Sequence, residues 1–156
     1  MNYKFVPMNK NYANEIAYNW KYNGIYSFYD MTADEDDLME FLNETSWTDH
    51  YFAALDDKNE LVGFYSFFFE YEIMSIGLGL KPALTGRRIG PEFVNAGINF
   101  GVEKFKYKKN CIMLSVASFN NRAIRAYERL GFHYADKYMH KTNGGEFEFI
   151  KMKKII

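Results

Sequence analysis

The stretch Thr85-Gly86-Arg87-Arg88-Ile89-Gly90-Pro91 sets two arginines between two glycines, just ahead of a proline. Pro91 suits the first turn of a helix, where no backbone donor is needed. The residues before the loop, GLGLKP, read as the end of a strand. A strand-to-helix junction of this kind bares main-chain N–H groups that have no intrahelical partner, and the helix dipole adds positive potential. Phosphate binds in such places. Gly86 and Gly90 permit unusual dihedrals and close approach of a ligand. Arg87 and Arg88 bring charge. The loop has neither the lysine with Ser/Thr of a Walker A sequence nor a G-x-G-x-x-G fingerprint. The same residues also describe an ordinary turn with solvated arginines.

A second stretch, NNRAIRAYERLGF, opens with Asn120 and closes with Gly131 and Phe132. Tyr127 lies seven positions after Asn120 (127 − 120). Taken singly, Asn120 reads as a helix N-cap and Tyr127 as a core-facing aromatic.

The elements that must position these groups follow from periodicity. YKFVPM is a short strand stopped near Pro7, and NYANEIAYNWKY is a helix with Ile16, Ala17 and Trp20 on one side. NGIYSFYDM is aromatic and irregular. TADEDDLMEFL is a second helix, with Thr32 and Glu35 spaced as a capping box and acidic residues in its first turn. That acidic run reads as helix capping rather than as a cation-binding face. YFAALD and LVGFYSFFF form a hairpin, followed by EIMSIGLGL as a third antiparallel strand. PEFVNAGINFGVEKFKY is a helix in which Phe93, Gly97, Gly101 and Phe105 recur every four residues, and the glycines let it lie close to a sheet. CIMLSVAS is a buried strand. The NNRAIRAYERLGF helix ends at Gly131 as a left-handed cap. FHYADKYMH and EFEFIKMKK are strands joined by the turn KTNGGE. The order predicts a mixed α/β (α+β) layer structure, one sheet with helices on its faces, as a single domain over residues 1–156.

Bulk properties narrow the classes. The 156 residues carry a formal net charge of −1, which gives no electrostatic case for nucleic acid or an anionic membrane. No apolar run approaches the ~18 residues of a membrane span, and the N-terminus lacks a secretory h-region, so a cytoplasmic location is expected. The single cysteine, Cys111, sits in a buried-type strand and reads as a core thiol. His50, His133 and His140 show no metal-ligand spacing, so no metal is expected.

The two stretches, in this order, resemble the GNAT superfamily of N-acetyltransferases. The family loop has the form [RQ]-x-x-G-x-[GA]. Thr85 to Gly90 aligns with it, after Leu80-Lys81-Pro82, but Thr85 stands for the usual Arg or Gln and Arg88 for a middle glycine. The second family segment, N-x-x-A-x-x-x-Y-x-x-x-G-F, is matched by Asn120, Ala123, Tyr127, Gly131 and Phe132. The resemblance implies a central, mostly antiparallel sheet splayed around an acyl-CoA slot, with helices on both faces. It implies acetyl-CoA as co-substrate, with Leu78, Gly79 and Leu80 pairing with the pantetheine arm like an added strand. The pyrophosphate would rest on the loop from Thr85 through Gly86, Arg87, Arg88, Ile89 and Gly90 to Pro91. Asn120, with Ala123 beside it, would bond the pantetheine. Tyr127 would protonate the departing thiolate. From a phenol's ~10 to a thiol's ~8.5 that transfer is uphill by roughly 2 kcal/mol.

The implied reaction is acetyl transfer to a primary amine in a direct ternary complex, with no acyl-enzyme. Glu70 and Glu72 are the candidate bases for the amine, against a reading as a solvated hairpin. The implied partners are a small-molecule amine or a peptide N-terminus, with no nucleic acid and no membrane; a homodimer is left open. Trp20, Tyr22, Tyr26, Phe28, Tyr29 and Trp47 would build the acceptor pocket or pack the early helices. Two other readings stay open: a non-catalytic acyl-CoA-binding or regulatory module of the same fold, and an α/β interaction domain that binds no nucleotide.

Overall fold

The computed structural model describes residues 2–156. Strand β1 (Lys4–Pro7) leads to helix α1 (Lys10–Asn19) and, past two short 3-10 turns, to α2 (Glu35–Leu42). Strands β2 (Tyr51–Leu55), β3 (Leu61–Glu70) and β4 (Ile73–Leu80) form a meander. Helix α3 (Gly90–Lys104), β5 (Cys111–Ala117), α4 (Asn121–Arg129), β6 (His133–Thr142) and β7 (Gly145–Ile155) follow. The strands make one seven-stranded sheet in the order β1-β2-β3-β4-β5-β7-β6. Its neighbours are antiparallel except β4 and β5, which run parallel. No helix among the described residues is long and apolar enough to cross a membrane.

Helices cover both faces, as expected. One face packs Phe93, Val94 and Ile98 of α3 over Tyr65, Phe67 and Ile112. The other packs Ile16 and Ala17 of α1 and Phe41 of α2 over Ala53 and Leu55. The α3 glycines are required by this packing. A Cβ at Gly97 would run into the Tyr65 ring, and one at Gly101 into the Phe67 ring.

Local detail departs from expectation in three places. The N-cap of α2 is Asp34, whose carboxylate accepts from the Asp37 N–H at 2.9 Å. Thr32 lies in the preceding 3-10 turn, Met31–Ala33, and its hydroxyl accepts from Lys21 instead. Asp34 has the same three-residue reach to a first-turn donor and carries the charge that the dipole favours, so it displaces Thr32. The aromatic stretch read as irregular forms a 3-10 helix, Gly24–Tyr29. Helix α3 ends at Lys104, short of Tyr107, because Lys106 turns left-handed at φ +49° and the Tyr107 N–H closes back on Val102 O. The freed Tyr107 phenol donates to Cys111 O at 2.6 Å and accepts from the Met74 N–H at 3.1 Å. One side chain thereby ties the starts of β4 and β5 together.

Candidate active site

The parallel ladder between β4 and β5 is short. Met74 pairs with Ile112 and Ser75 with Met113, and no pairing continues beyond them. Each strand is fully laddered on its other edge, to β3 and to β7. From Ile76 and Leu114 onward the two strands therefore diverge, and the gap is closed only at the Tyr107 end.

Strand alternation decides which groups face the gap. Leu80 O accepts from the Tyr22 phenol at 2.8 Å, while the next residue, Lys81, donates its N–H to Val62 O on the β3 side. Leu78 and Leu80 thus turn their backbone groups to the unladdered edge, and Gly79 turns its own toward β3. Gly77 and Gly79 are bare for a packing reason. A Cβ on Gly79 would meet the ring of its cross-strand partner Phe64, and one on Gly77 would meet the Ser66 hydroxyl.

The basic loop closes the wide end of the gap. Pro82–Leu84 makes a 3-10 turn, which Thr85 ties off by donating its hydroxyl to Pro82 O at 2.7 Å. Gly86 (φ +76°) and Arg88 (φ +62°) are left-handed. The N-caps of α1, α2 and α4 (Asn9, Asp34 and Asn120) each bond a first-turn N–H with their side chains. Helix α3 differs: its N-cap is Ile89, with no side-chain cap, so no capping side chain competes with an anion at the positive end of the helix dipole. A Cβ added at Gly86 or Gly90 meets no atom within 4 Å, so the loop has room for a ligand. These features fit a diphosphate. A cavity of about 690 Å³ opens beside the loop, between Leu78, Gly86, Pro91 and Ala123, with Arg88, Arg122 and Arg129 on its walls. Arg87 is exposed beside it.

Helix α4 carries Tyr127, and its C-terminus pins it. Gly131 is left-handed at φ +96°, its N–H bonds Glu128 O, and the Phe132 N–H bonds Tyr127 O. In this Schellman arrangement the residue at Tyr127 packs on the one at Phe132. The two rings meet edge to face, with centroids 5.9 Å apart, and Phe132 is fully buried. The Tyr127 hydroxyl makes no hydrogen bond to a described residue; Tyr127 lines both the larger cavity and a second one. Burial, and then the neighbouring Tyr29, push its phenol up to about 12.

The second cavity, about 300 Å³, lies on the α1 side of the gap. Trp20, Tyr22, Tyr26 and Tyr29 line it, and Leu78, Leu80, Thr85, Arg122 and Tyr127 are shared with the larger cavity. Asn120 is buried and uses both ends of its amide. Its Oδ1 accepts from the Ala123 N–H at 3.2 Å, and its Nδ2 donates to the Tyr29 hydroxyl at 3.1 Å. Trp47 is elsewhere: it is buried under α2 and donates to Phe41 O at 2.7 Å. Arg122, which the sequence reading passed over, stacks on the Tyr26 ring at 4.1 Å between the two cavities. Its place in the first turn of α4 was the signal.

Glu70 and Glu72 are not brought to Tyr127. They sit at the turn between β3 and β4, at the closed end of the gap, and Glu72 pairs with Lys109 at 3.2 Å. Six residues separate Glu72 from Leu78 (78 − 72), or roughly 20 Å along a strand. The turn itself is costly, since Tyr71 (φ +50°) and Glu72 (φ +68°) are both left-handed without being glycine. Replacing the pair by Asn-Gly (Tyr71→Asn with Glu72→Gly) is expected to stabilise the fold by about 1 kcal/mol, or about 2–4 °C in Tm, and to leave turnover intact. Thermal melts and activity assays check both, and lost turnover would return Glu72 to the chemistry.

A sequence model described as the acetyltransferase (GNAT) family matches residues 15–132. No curated protein sequence matches. Among solved structures, a spermidine N-acetyltransferase from Vibrio cholerae in complex with CoA and spermine is 18% identical, with a TM-score of 0.75 over 98% of this chain and 95% of that one. A chimera of spermidine N-acetyltransferase from Vibrio cholerae and hSSAT is 18% identical, with a TM-score of 0.76 over the same shares, 98% and 95%. An acetyltransferase (GNAT family) from Bacillus anthracis is 15% identical, with a TM-score of 0.71 over 98% and 94%. At such identities the likeness shows the fold. The family match runs over more than half of the sequence, so the chain belongs to the acetyltransferase (GNAT) family and is an acetyl-CoA-dependent enzyme.

Proposed function

We propose that the chain moves the acetyl group directly from acetyl-CoA to a primary amine of a small molecule, the two reactants entering from opposite sides of the gap between β4 and β5. The observation behind this is the shared wall: Leu78, Leu80, Thr85, Arg122 and Tyr127 border both cavities. The solved relatives named for spermidine are, by those names, enzymes for a small-molecule amine.

Acetyl-CoA supplies a thioester whose carbonyl carbon the amine attacks, forming C–N as C–S breaks. The N-terminal end of α3, which has no side-chain cap, and the loop from Thr85 to Pro91 hold the diphosphate, with Arg88 and Arg129 beside it. The Leu78 backbone, on the unladdered edge of β4, takes the pantetheine arm as an added strand. Asn120 holds Tyr29 in the acceptor wall. Tyr127 keeps its proton until the sulfur leaves, then directs it there. Among the described residues no carboxylate lines the acceptor cavity, so the amine gives its own proton to water. Cys111 is buried at the far end of β5, and no covalent acyl-enzyme is involved.

Amine-dependent release of thiol from acetyl-CoA tests this reading, with small amines set against peptides bearing free N-termini. Turnover of the small amines is expected; release with peptides alone, or with neither, overturns it. Gly90→Val should weaken acetyl-CoA binding about tenfold or more, the worth of one charge-assisted hydrogen bond. Its Tm should hold, because a Cβ there meets no atom within 4 Å beyond its own chain neighbours and helix backbone. Calorimetric titration reads the affinity, and an unchanged value would move the diphosphate elsewhere.

A further inference from the structure

A third cavity, about 320 Å³, lies behind the acceptor cavity and shares Tyr29, Met31 and Phe64 with it. Its walls carry three carboxylates, Asp30, Asp37 and Glu40, against one basic residue, His140. Among the described residues no lysine or arginine pairs with any of the three. Asp30 accepts from the Tyr22 N–H at 2.9 Å and Asp37 from the Thr142 hydroxyl at 3.2 Å, so each is held in place by a neutral donor and keeps its charge uncompensated. Their field is felt across the cavity: burial first, then Glu40 and Asp37, raise the Tyr51 phenol. Ser66 is an independent sign of a ligand. It is more than nine-tenths buried, it lines this cavity, and its hydroxyl bonds no described residue. The bareness of Gly77 leaves that hydroxyl its space. Phe41, Tyr51 and Phe149 add aromatic faces, which suit methylenes and cations alike.

We propose that this third cavity, walled by Asp30, Asp37, Glu40 and Ser66 next to the acceptor cavity, binds a second cationic group of the acceptor. The substrate class is then a diamine or longer polycation, acetylated on the nitrogen that reaches Tyr127. This rests on the amine-acetylation reading above and adds to it. The acidic run of α2 thus serves two ends: Asp34 caps the helix, and Asp37 and Glu40, a turn apart, face the cavity.

The experiment compares a series of α,ω-diamines with monoalkylamines of matched length as acceptors at low salt. Diamines are expected to exceed their monoamine partners in kcat/KM by about fivefold or more, a fitting size for several solvent-reached carboxylates acting on one cation. The excess should sit in KM and fall as salt rises. In Glu40→Gln, and separately in Ser66→Ala, the diamine-to-monoamine ratio should drop toward one. Equal kcat/KM for the two series, or a ratio untouched by both substitutions, overturns the proposal. If no amine of either kind turns over, the acetylation reading has failed. A thermal shift with the diamine alone then decides the cavity: a shift present in the unmodified protein and reduced in Glu40→Gln upholds it, and no shift ends it.

Discussion

Tyr127→Phe is expected to lower turnover by roughly ten- to a thousandfold, the range for one positioned proton donor, while acetyl-CoA affinity and Tm hold. The ring stays against Phe132 in the variant, and the Schellman bonds use only backbone. The lost hydroxyl leaves no orphan, since it bonds no described residue. Its raised pKa refines the role. At about 12 the phenol lies ~3.5 units above a thiol, so full proton transfer is uphill by roughly 5 kcal/mol. In the proposed reaction, Tyr127 is then a hydrogen-bond donor to the developing charge on sulfur, and the proton passes over only as the bond to carbon is lost. The raised value also keeps the phenol protonated at every pH below about 12, so an alkaline loss of activity below pH 10 would belong to another group. Steady-state kinetics with a separate binding measurement check the split. Turnover equal to the unmodified enzyme would take Tyr127 out of the reaction.

Gly97→Val is expected to cost about 3 kcal/mol or more of stability, at the upper end of overpacking effects. For a chain of this size that is a fall of about 6–12 °C in Tm. The added carbons would enter the Tyr65 ring, which is fully buried, stacked on Phe93 at 4.6 Å and held by its own hydroxyl bond to Phe93 O at 2.7 Å. Tyr65 cannot step aside, so α3 must lift. Its N-terminus follows directly on the loop proposed for the diphosphate, and acetyl-CoA affinity should fall along with Tm. Thermal unfolding with and without acetyl-CoA measures both. A Tm within a degree or two of the unmodified protein would mean that α3 does not sit this close to the sheet.

Short-range chemistry was legible in the residues. Asn120 capping Ala123, Gly131 closing α4 and the Asn143-Gly144 turn are set by bonds spanning a few positions, and each stands where the local pattern puts it. The same holds for the element order and for the loop from Thr85 to Pro91, because a strand end, a proline and flanking glycines restrict the backbone locally. Even here a near tie went unread: Thr32 and Asp34 both sit at capping distance, and charge decided between them.

What the chain could not announce are the pairings made across long separations. That β4 and β5 ladder for two residue pairs and then part depends on Tyr107 bracing one end and β3 and β7 claiming the outer edges. Glu70 and Glu72 looked near the slot because they precede its strand, yet an extended strand carries them to its opposite end. Tyr29 meets Asn120 across 91 positions, and the α2 carboxylates reach a cavity shared with Phe149 of β7. Such neighbours are chosen by which faces must be buried together, a condition the whole sheet and both helical layers satisfy at once. Local spacing therefore spells out the parts of the machinery, and packing alone sets which of them share a wall.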